Sequence, residues 1–261
     1  MRRLAMPILA LALLAAAALP EMSRAQEAVI STRSAAFDDR DPVDFGRHAP
    51  HRYPVHGIDV ARYQGTIDWS RAARAGVNFA FIKATEGGDM LDSHFAQNWH
   101  QAGRAGVLRG AYHFYYFCTD AATQAKWFIR NVPRHKGALP PVLDMEWNHM
   151  SPTCQKRPAG SVVRSEMKIF LDRLERHYGQ RPVVYTTPQF YRDAGLHHMK
   201  HEEFWLRSVA KTLDHVYPKQ RWSFWQYSGT GIVSGINGDV DLNAFAGSRQ
   251  SWAKWVRQRQ Q

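Results

Sequence analysis

Pro140-Pro141-Val142-Leu143-Asp144-Met145-Glu146-Trp147 is an apolar run short enough for a buried strand, ended by two carboxylates one residue apart. Side chains alternate across a strand, so Asp144 and Glu146 share one face and Met145 takes the other. Two adjacent acids are costly to bury unless they are solvated, paired or chemically employed. A solvated strand edge accounts for such a pair. So does a site for acid-assisted cleavage of a glycosidic bond, which requires two neighbouring carboxyls. The stretch alone leaves both readings open.

Working outward, similar runs occur at 56–60, 79–84 and 108–114, then at 183–186, 204–208, 223–227 and 240–243. Helical patterns at 69–75, 93–105, 121–131 and 162–178 separate the early ones. The last is the clearest, with Val163, Met167, Phe170, Leu171, Leu174 and Tyr178 near helical spacing. Gly76, Gly106 and Gly179 follow three of these helices, where a C-terminal glycine is expected. Strand–helix alternation predicts a parallel sheet with crossover helices, and eight strands suggest closure. The expected fold is α/β, a single TIM-like (β/α) barrel. Its later connections are too short for full helices, so its second half should be irregular and helix-poor. An open doubly wound sheet is the structural alternative, but no G-x-G-x-x-G supports a nucleotide site.

A barrel gathers the C-terminal ends of its strands on one rim, where active sites are built. Asp59 ends the first strand, and Lys83, Thr85 and Glu86 end or follow the second. Tyr112 and His113 lie near the end of the third, with Asp144 and Glu146 at the end of the fourth. Tyr185 is near the end of the fifth, Gln226 and Tyr227 finish the seventh, and Asp241 lies in the eighth. Convergence from so many strands favours a site over a solvated edge. Aromatic rings at Tyr63, Tyr112, Trp147, Tyr185, Trp225 and Tyr227 lie on or near this rim, placed to pack on a ligand or in the core. Lys83 and Glu86 are candidates to pair with each other. His113 suits either a polar contact to ligand or carboxylate, or a satisfied structural position.

Cys118 follows the third strand and Cys154 lies in the loop after the fourth. Adjacent parallel strands bring those loops together, so a Cys118–Cys154 disulfide bracing the rim is expected. The 13 histidines form no metal-binding pair on an expected helix, and neither metal nor cofactor is expected.

Arg2 and Arg3 precede an apolar run to Leu19, and Ser23-Arg24-Ala25 supplies small residues for cleavage. Residues 1–25 therefore read as a secretory signal peptide, with an uncleaved anchor as the alternative. Residues 26–55 read as a flexible polar leader, 56–248 as the barrel and 249–261 as a basic tail. The formal charge of +11 includes three arginines and one glutamate in 1–25, leaving +9 on the remainder. That charge favours an anionic partner, and export makes a wall or membrane surface a better fit than nucleic acid. Trp252 and Trp255 among Arg249, Lys254, Arg257 and Arg259 suggest either an amphipathic surface helix or a terminal helix packing its tryptophans.

Taken together, the motifs resemble the family 25 glycoside hydrolases, the N-acetylmuramidase lysozymes. The resemblance runs from about 56 to 246. It rests on Gly57-Ile58-Asp59-Val60 with Tyr63-Gln64-Gly65 and Ile67-Asp68-Trp69, Phe81-Ile82-Lys83-Ala84-Thr85-Glu86-Gly87, and Gly110-Ala111-Tyr112-His113-Phe114. It continues through Pro141-Val142-Leu143-Asp144-Met145-Glu146, Val184-Tyr185-Thr186, Trp225-Gln226-Tyr227-Ser228 and Gly238-Asp239-Val240-Asp241-Leu242-Asn243. Ala61 departs from the family's usual serine. The resemblance implies cleavage of the β-1,4 bond between N-acetylmuramic acid and N-acetylglucosamine in peptidoglycan. It implies Glu146 as general acid, Asp144 as stabiliser or acetamido-orienting group, and Asp59 and Asp241 completing an acidic floor. Tyr63, Tyr112, Tyr185, Trp225, Gln226 and Tyr227 are then the expected substrate-binding residues. The expected protein is an exported monomer, periplasmic or extracellular, free of nucleic acid and of stable membrane insertion. A chitinase-like hydrolase and a non-catalytic wall-binding module are the alternatives.

Overall fold

A computed structural model describes residues 32–259; the expected signal segment and the start of the leader lie outside the described residues. Two short strands, β1 (Asp38–Asp39) and β4 (Met90–Leu91), flank eight longer ones. These are β2 (His56–Val60), β3 (Phe79–Glu86), β5 (Leu108–Phe114), β6 (Val142–Met145), β7 (Val183–Thr186), β8 (Glu203–Arg207), β9 (Phe224–Ile232) and β10 (Val240–Phe245). Parallel pairing runs from β2 through β3, β5, β6, β7 and β8 to β9. β10 then pairs antiparallel with both β9 and β2 and closes the barrel.

The first half carries full crossover helices: α1 (Trp69–Arg74), α2 (Phe95–Arg104), α3 (Ala121–Asn131) and α4 (Gly160–Tyr178). The Asp68 side chain caps α1 by accepting from the Arg71 N–H at 2.9 Å, and Asp120 caps α3 through the Thr123 N–H at 2.9 Å. Gly179 ends α4 with φ 74°, a left-handed conformation that costs other residues more. The second half has only α5 (Pro188–Ala194) and the single turn α6 (Leu213–Val216) between strands. It is helix-poor, as its short connections required.

The closing strand corrects the all-parallel expectation. Residues 233–239 are too few for a parallel crossover, which needs a dozen or more, so the chain turns back as a hairpin. Reversal puts the start of β10 on the rim formed by the ends of the other strands. Asp241, its second residue, pairs directly with Asp59.

Alternation gives the barrel two separate cores. Outward residues such as Ile58, Ile82, Leu143, Met145, Val184 and Leu206 pack beneath the helices, with Val163, Met167, Phe170, Leu171 and Leu174 of α4. Inward residues Phe79, Phe81, Leu108, Val142, Val183, Trp205, Phe224 and Phe245 fill the axis. A Cβ on Gly57 would lie 2.5 Å from the Phe79 ring, so glycine there makes room for the aromatic stack.

Residues 32–55, expected as part of a flexible leader, instead lie against the barrel wall. Asp38 and Asp39 pair with Ile232 and Gly231 of β9, and buried Phe45 meets the Trp225 ring edge-on at 4.9 Å. Asn78 exchanges hydrogen bonds with the Arg33 backbone at 2.6 and 2.9 Å. The β9–β10 hairpin brings no helix to cover its outer face, and this segment supplies the cover. The tail resolves in favour of packing. Residues Arg249–Arg259 form α7, whose Trp252 and Val256 are buried against Phe79, Phe224 and Phe245 and close the barrel's lower end.

Candidate active site

The opposite end is open. A cavity of about 750 Å³ sits at the C-terminal mouth, lined by Asp59, Asp144, Glu146 and Asp241 together with Tyr63, Tyr112, Tyr185 and Gln226. Asp144 and Glu146 both face it, as their spacing required. Tyr63 stands at the mouth, 72% exposed, with the Arg62 guanidinium over its ring.

The floor is a continuous buried polar chain. The Tyr185 hydroxyl donates to Gln226 Oε1 at 2.9 Å, and the Gln226 amide donates to Asp59 Oδ1 at 3.0 Å. The Asn243 amide donates to the same oxygen at 2.7 Å, while the Trp205 indole donates to Asn243 Oδ1 at 2.7 Å. Five strands are thereby joined through donors that orient the Asp59 carboxylate. Such a network is rigid only when each member is satisfied. Asp144 Oδ1 is buried without a hydrogen-bond partner among the described residues.

Burial governs the proton affinities. It raises Asp59 to about 6 against the donors that stabilise its anion, and raises Asp241 to about 8. Asp241, paired with Asp59 across β10 and β2, is the more strongly raised of the two. Asp144 is pushed well above the carboxylate range by burial and then by the Glu146 charge. Glu146 is also raised, first by burial, with Arg207 and Lys83 opposing. At Glu146, like-charge repulsion from Asp59 is secondary to desolvation. The two carboxyls titrate as one system that retains a proton above the ordinary carboxylate range.

Two expected substrate residues are elsewhere. Trp225 and Tyr227 flank inward-facing Gln226 and therefore point outward. Trp225 is buried beside Phe45 and donates to the Ser208 carbonyl at 2.9 Å, and Tyr227 bonds His56 Nδ1 at 3.0 Å. Trp147 also leaves the groove, packing on Phe117 and Phe190 and donating to Asp193 at 2.8 Å. His113 takes the structural alternative: it is fully buried, bonded to Thr85 at 2.8 Å and Gln124 at 2.9 Å. Lys83 and Glu86 pair at 2.5 Å in the cavity wall.

Cys118 and Cys154 are joined, with Cα atoms 5.8 Å apart. The bond anchors the loop after β6, whose Asn148, Met150, Ser151, Pro152 and Thr153 form one bank of the groove. Trp205 and Arg207 also line the cavity but were not among the expected site residues. The signal for them was present: in Phe204-Trp205-Leu206-Arg207, alternation sends Trp205 and Arg207 inward together. They supply the polar contribution of the sixth barrel strand, which the expected rim lacked.

A barrel whose open rim holds paired, proton-retaining carboxyls above an oriented carboxylate is the architecture of a glycoside hydrolase. Comparison with known proteins agrees. Glycosyl hydrolases family 25 matches residues 58–236. Lysozyme M1 of Streptomyces globisporus is 37% identical over 210 residues, covering 74% of this chain and 68% of that protein. The uncharacterized protein YegX of Escherichia coli O157:H7 is 34% identical over 223 residues, covering 81% and 77%. A family 25 glycosyl hydrolase structure from Bacillus anthracis superposes with a TM-score of 0.71 at 34% identity, over 84% of this chain and 99% of that one. The chain belongs to family 25 of the glycosyl hydrolases.

Proposed function

We propose that this enzyme is an exported lysozyme that hydrolyses the β-1,4 bond between N-acetylmuramic acid and N-acetylglucosamine in peptidoglycan. The observation that carries the reading is the Asp144–Glu146 pair, held on one wall of an open groove with its proton retained by burial. Similarity to Lysozyme M1 and to an N,O-diacetylmuramidase of Chalaropsis sp, 34% identical over 144 residues, supports the substrate class. The signal-like segment 1–25 and the disulfide support export.

Glu146, at the groove's wall, gives its proton to the glycosidic oxygen as the C1–O bond breaks. The substrate's own acetamido oxygen attacks C1 from the other face. Asp144 accepts the acetamido N–H on Oδ1, which has no partner among the described residues, and stabilises the positive charge that develops there. Glu146, now a carboxylate, takes a proton from water as that water attacks C1 and the C1–acetamido oxygen bond breaks, which frees the acetamido group, restores the acid and retains the anomeric configuration. Asp59 and Asp241 hold the floor under the reacting sugar. Tyr63, Tyr112, Tyr185 and Gln226 contact the glycan.

Mass spectrometry of purified peptidoglycan digests tests the reading. Products with N-acetylmuramic acid at the reducing end are expected. Reducing-end N-acetylglucosamine, or release from chitin at a comparable rate, would overturn it.

A further inference from the structure

Three cations line the groove, and two have partners. Lys83 is paired with Glu86, and Arg62 lies over Tyr63 at the mouth. The Arg207 guanidinium makes neither a side-chain hydrogen bond nor an ion pair among the described residues. It is partly buried, and it projects into the cavity from the rim end of β8. Its backbone is fixed from behind, since the Tyr217 hydroxyl donates to its carbonyl at 2.8 Å and Gln226 stands beside it on β9. An unpaired guanidinium in a partly buried wall of carboxyls acts at a distance, because the low-dielectric surroundings screen it weakly.

We propose that Arg207 is a positioning residue for hydrolysis: a fixed cation that sets the pH window of the carboxyl cluster by acting on Asp59, Glu146 and Asp241, without gripping the substrate. This rests on the lysozyme reading above. Support comes from its place in one cavity wall with Asp59, Glu146 and Asp241, where its charge opposes protonation at all three carboxyls and leads the opposition at Glu146. Around it stand Asp59 on β2, Lys83 and Glu86 on β3, and Asp144 and Glu146 on β6. Asp241 faces it from β10, Tyr112 from β5 and Tyr185 from β7. Behind β8 lie Tyr217 and Arg192, and His149 follows Glu146. Of the other groove cations, Lys83 is neutralised by Glu86 and Arg62 lies at the mouth over Tyr63, while His149 also opposes protonation of Glu146. Arginine fits the role because its delocalised, weakly hydrated guanidinium carries charge in a partly buried wall more readily than an ammonium does.

The sign follows from linkage. Removing a nearby cation makes every carboxyl of the cluster hold its proton to higher pH. Both limbs of the rate profile, one needing an ionised carboxylate and the other a protonated acid, then move the same way. For Arg207→Gln we expect the kcat/KM profile to move about one pH unit to the alkaline side. At pH 5 activity falls on the order of tenfold, with KM little changed. Arg207→Lys should restore the wild-type profile. Carbon-13 NMR of the side-chain carboxyls, which needs no substrate, should show the same alkaline displacement of the cluster's midpoints. Unmoved midpoints overturn the proposal whatever the enzyme cleaves, and absence of muramidase activity with displaced midpoints overturns only the lysozyme reading. A rise in KM with an unmoved profile would make Arg207 a substrate ligand instead. Failure of Arg207→Gln to fold would make it structural, and either result sinks the proposal.

Discussion

The two ends of the barrel interior are built by the same strands under the same alternation, yet they have opposite chemistry. On β3 the inward series runs Phe79, Phe81, Lys83; on β6 it runs Val142, Asp144; on β7 Val183, Tyr185; on β9 Phe224, Gln226. β10, running the other way, reverses the order and places Phe245 below and Asp241 above. The lower end is closed by α7 and excludes water, so it can repay the ordering of the chain with apolar burial. The upper end is left open and holds carboxyls whose ionisation burial opposes. One exception sharpens the contrast: Glu203 begins β8 at the lower end, where Ser223, Trp255 and Arg259 satisfy it and pin α7 in place. A lower acid is fully partnered, whereas Asp144 Oδ1 above has no hydrogen-bond partner among the described residues.

If function and stability are divided along the axis in this way, variants at the two ends should separate cleanly. Glu146→Gln should lower kcat about a thousandfold, within the range of a lost general acid, with no loss of thermal stability. Turnover of purified peptidoglycan and a melting curve measure both; wild-type turnover would remove Glu146 from the acid role. At the other end, Trp252→Ala should cost about 3–5 kcal/mol in denaturant unfolding, because it empties the packing beneath Phe79 and Phe224. Turnover per folded molecule should stay unchanged. A variant that kept its stability but lost turnover would break the comparison.

The smallest effect is the most diagnostic. Asp241 is raised from 3.8 to about 8, so its folded-state proton is lost only at high pH, whereas the unfolded chain ionises near 3.8. A raised acid favours the folded state below its unfolded value and loses that stability progressively as pH rises toward 8. Asp241→Asn escapes this loss. Its melting temperature should exceed wild type at pH 8–9, with the gap shrinking as pH falls and closing near pH 4. A gap independent of pH would mean that Asp241 is not the buried, protonated acid described.

Most of the fold could be read from period and punctuation. The runs at 56–60, 108–114 and 183–186 coincide with β2, β5 and β7, and the glycines after the first helices take positive φ at Gly76, Gly106 and Gly179. The site was legible wherever a polar residue alternated with apolar neighbours at a strand end, as at Asp59, Asp144 and Glu146. It was misread at Trp225 and Tyr227, because an aromatic pattern does not state which face of the strand is the lumen. The polar composition of 32–55 suggested a loose leader, although Phe37 and Phe45 carried enough apolar surface to cover a wall without a helix.

The sequence by itself therefore determined the local terms: strand period, helix caps, the shared face of Asp144 and Glu146, and the loops that hold Cys118 and Cys154. Only the tertiary structure decided the direction of β10, which brings Asp241 against Asp59, and the place of the Arg207 guanidinium among the groove's carboxyls. It also decided that burial, ahead of charge repulsion, keeps the proton on the pair. Periodicity is a property of neighbours along the chain. Desolvation and through-space charge depend on which distant strands close around a group, and no single segment contains that information.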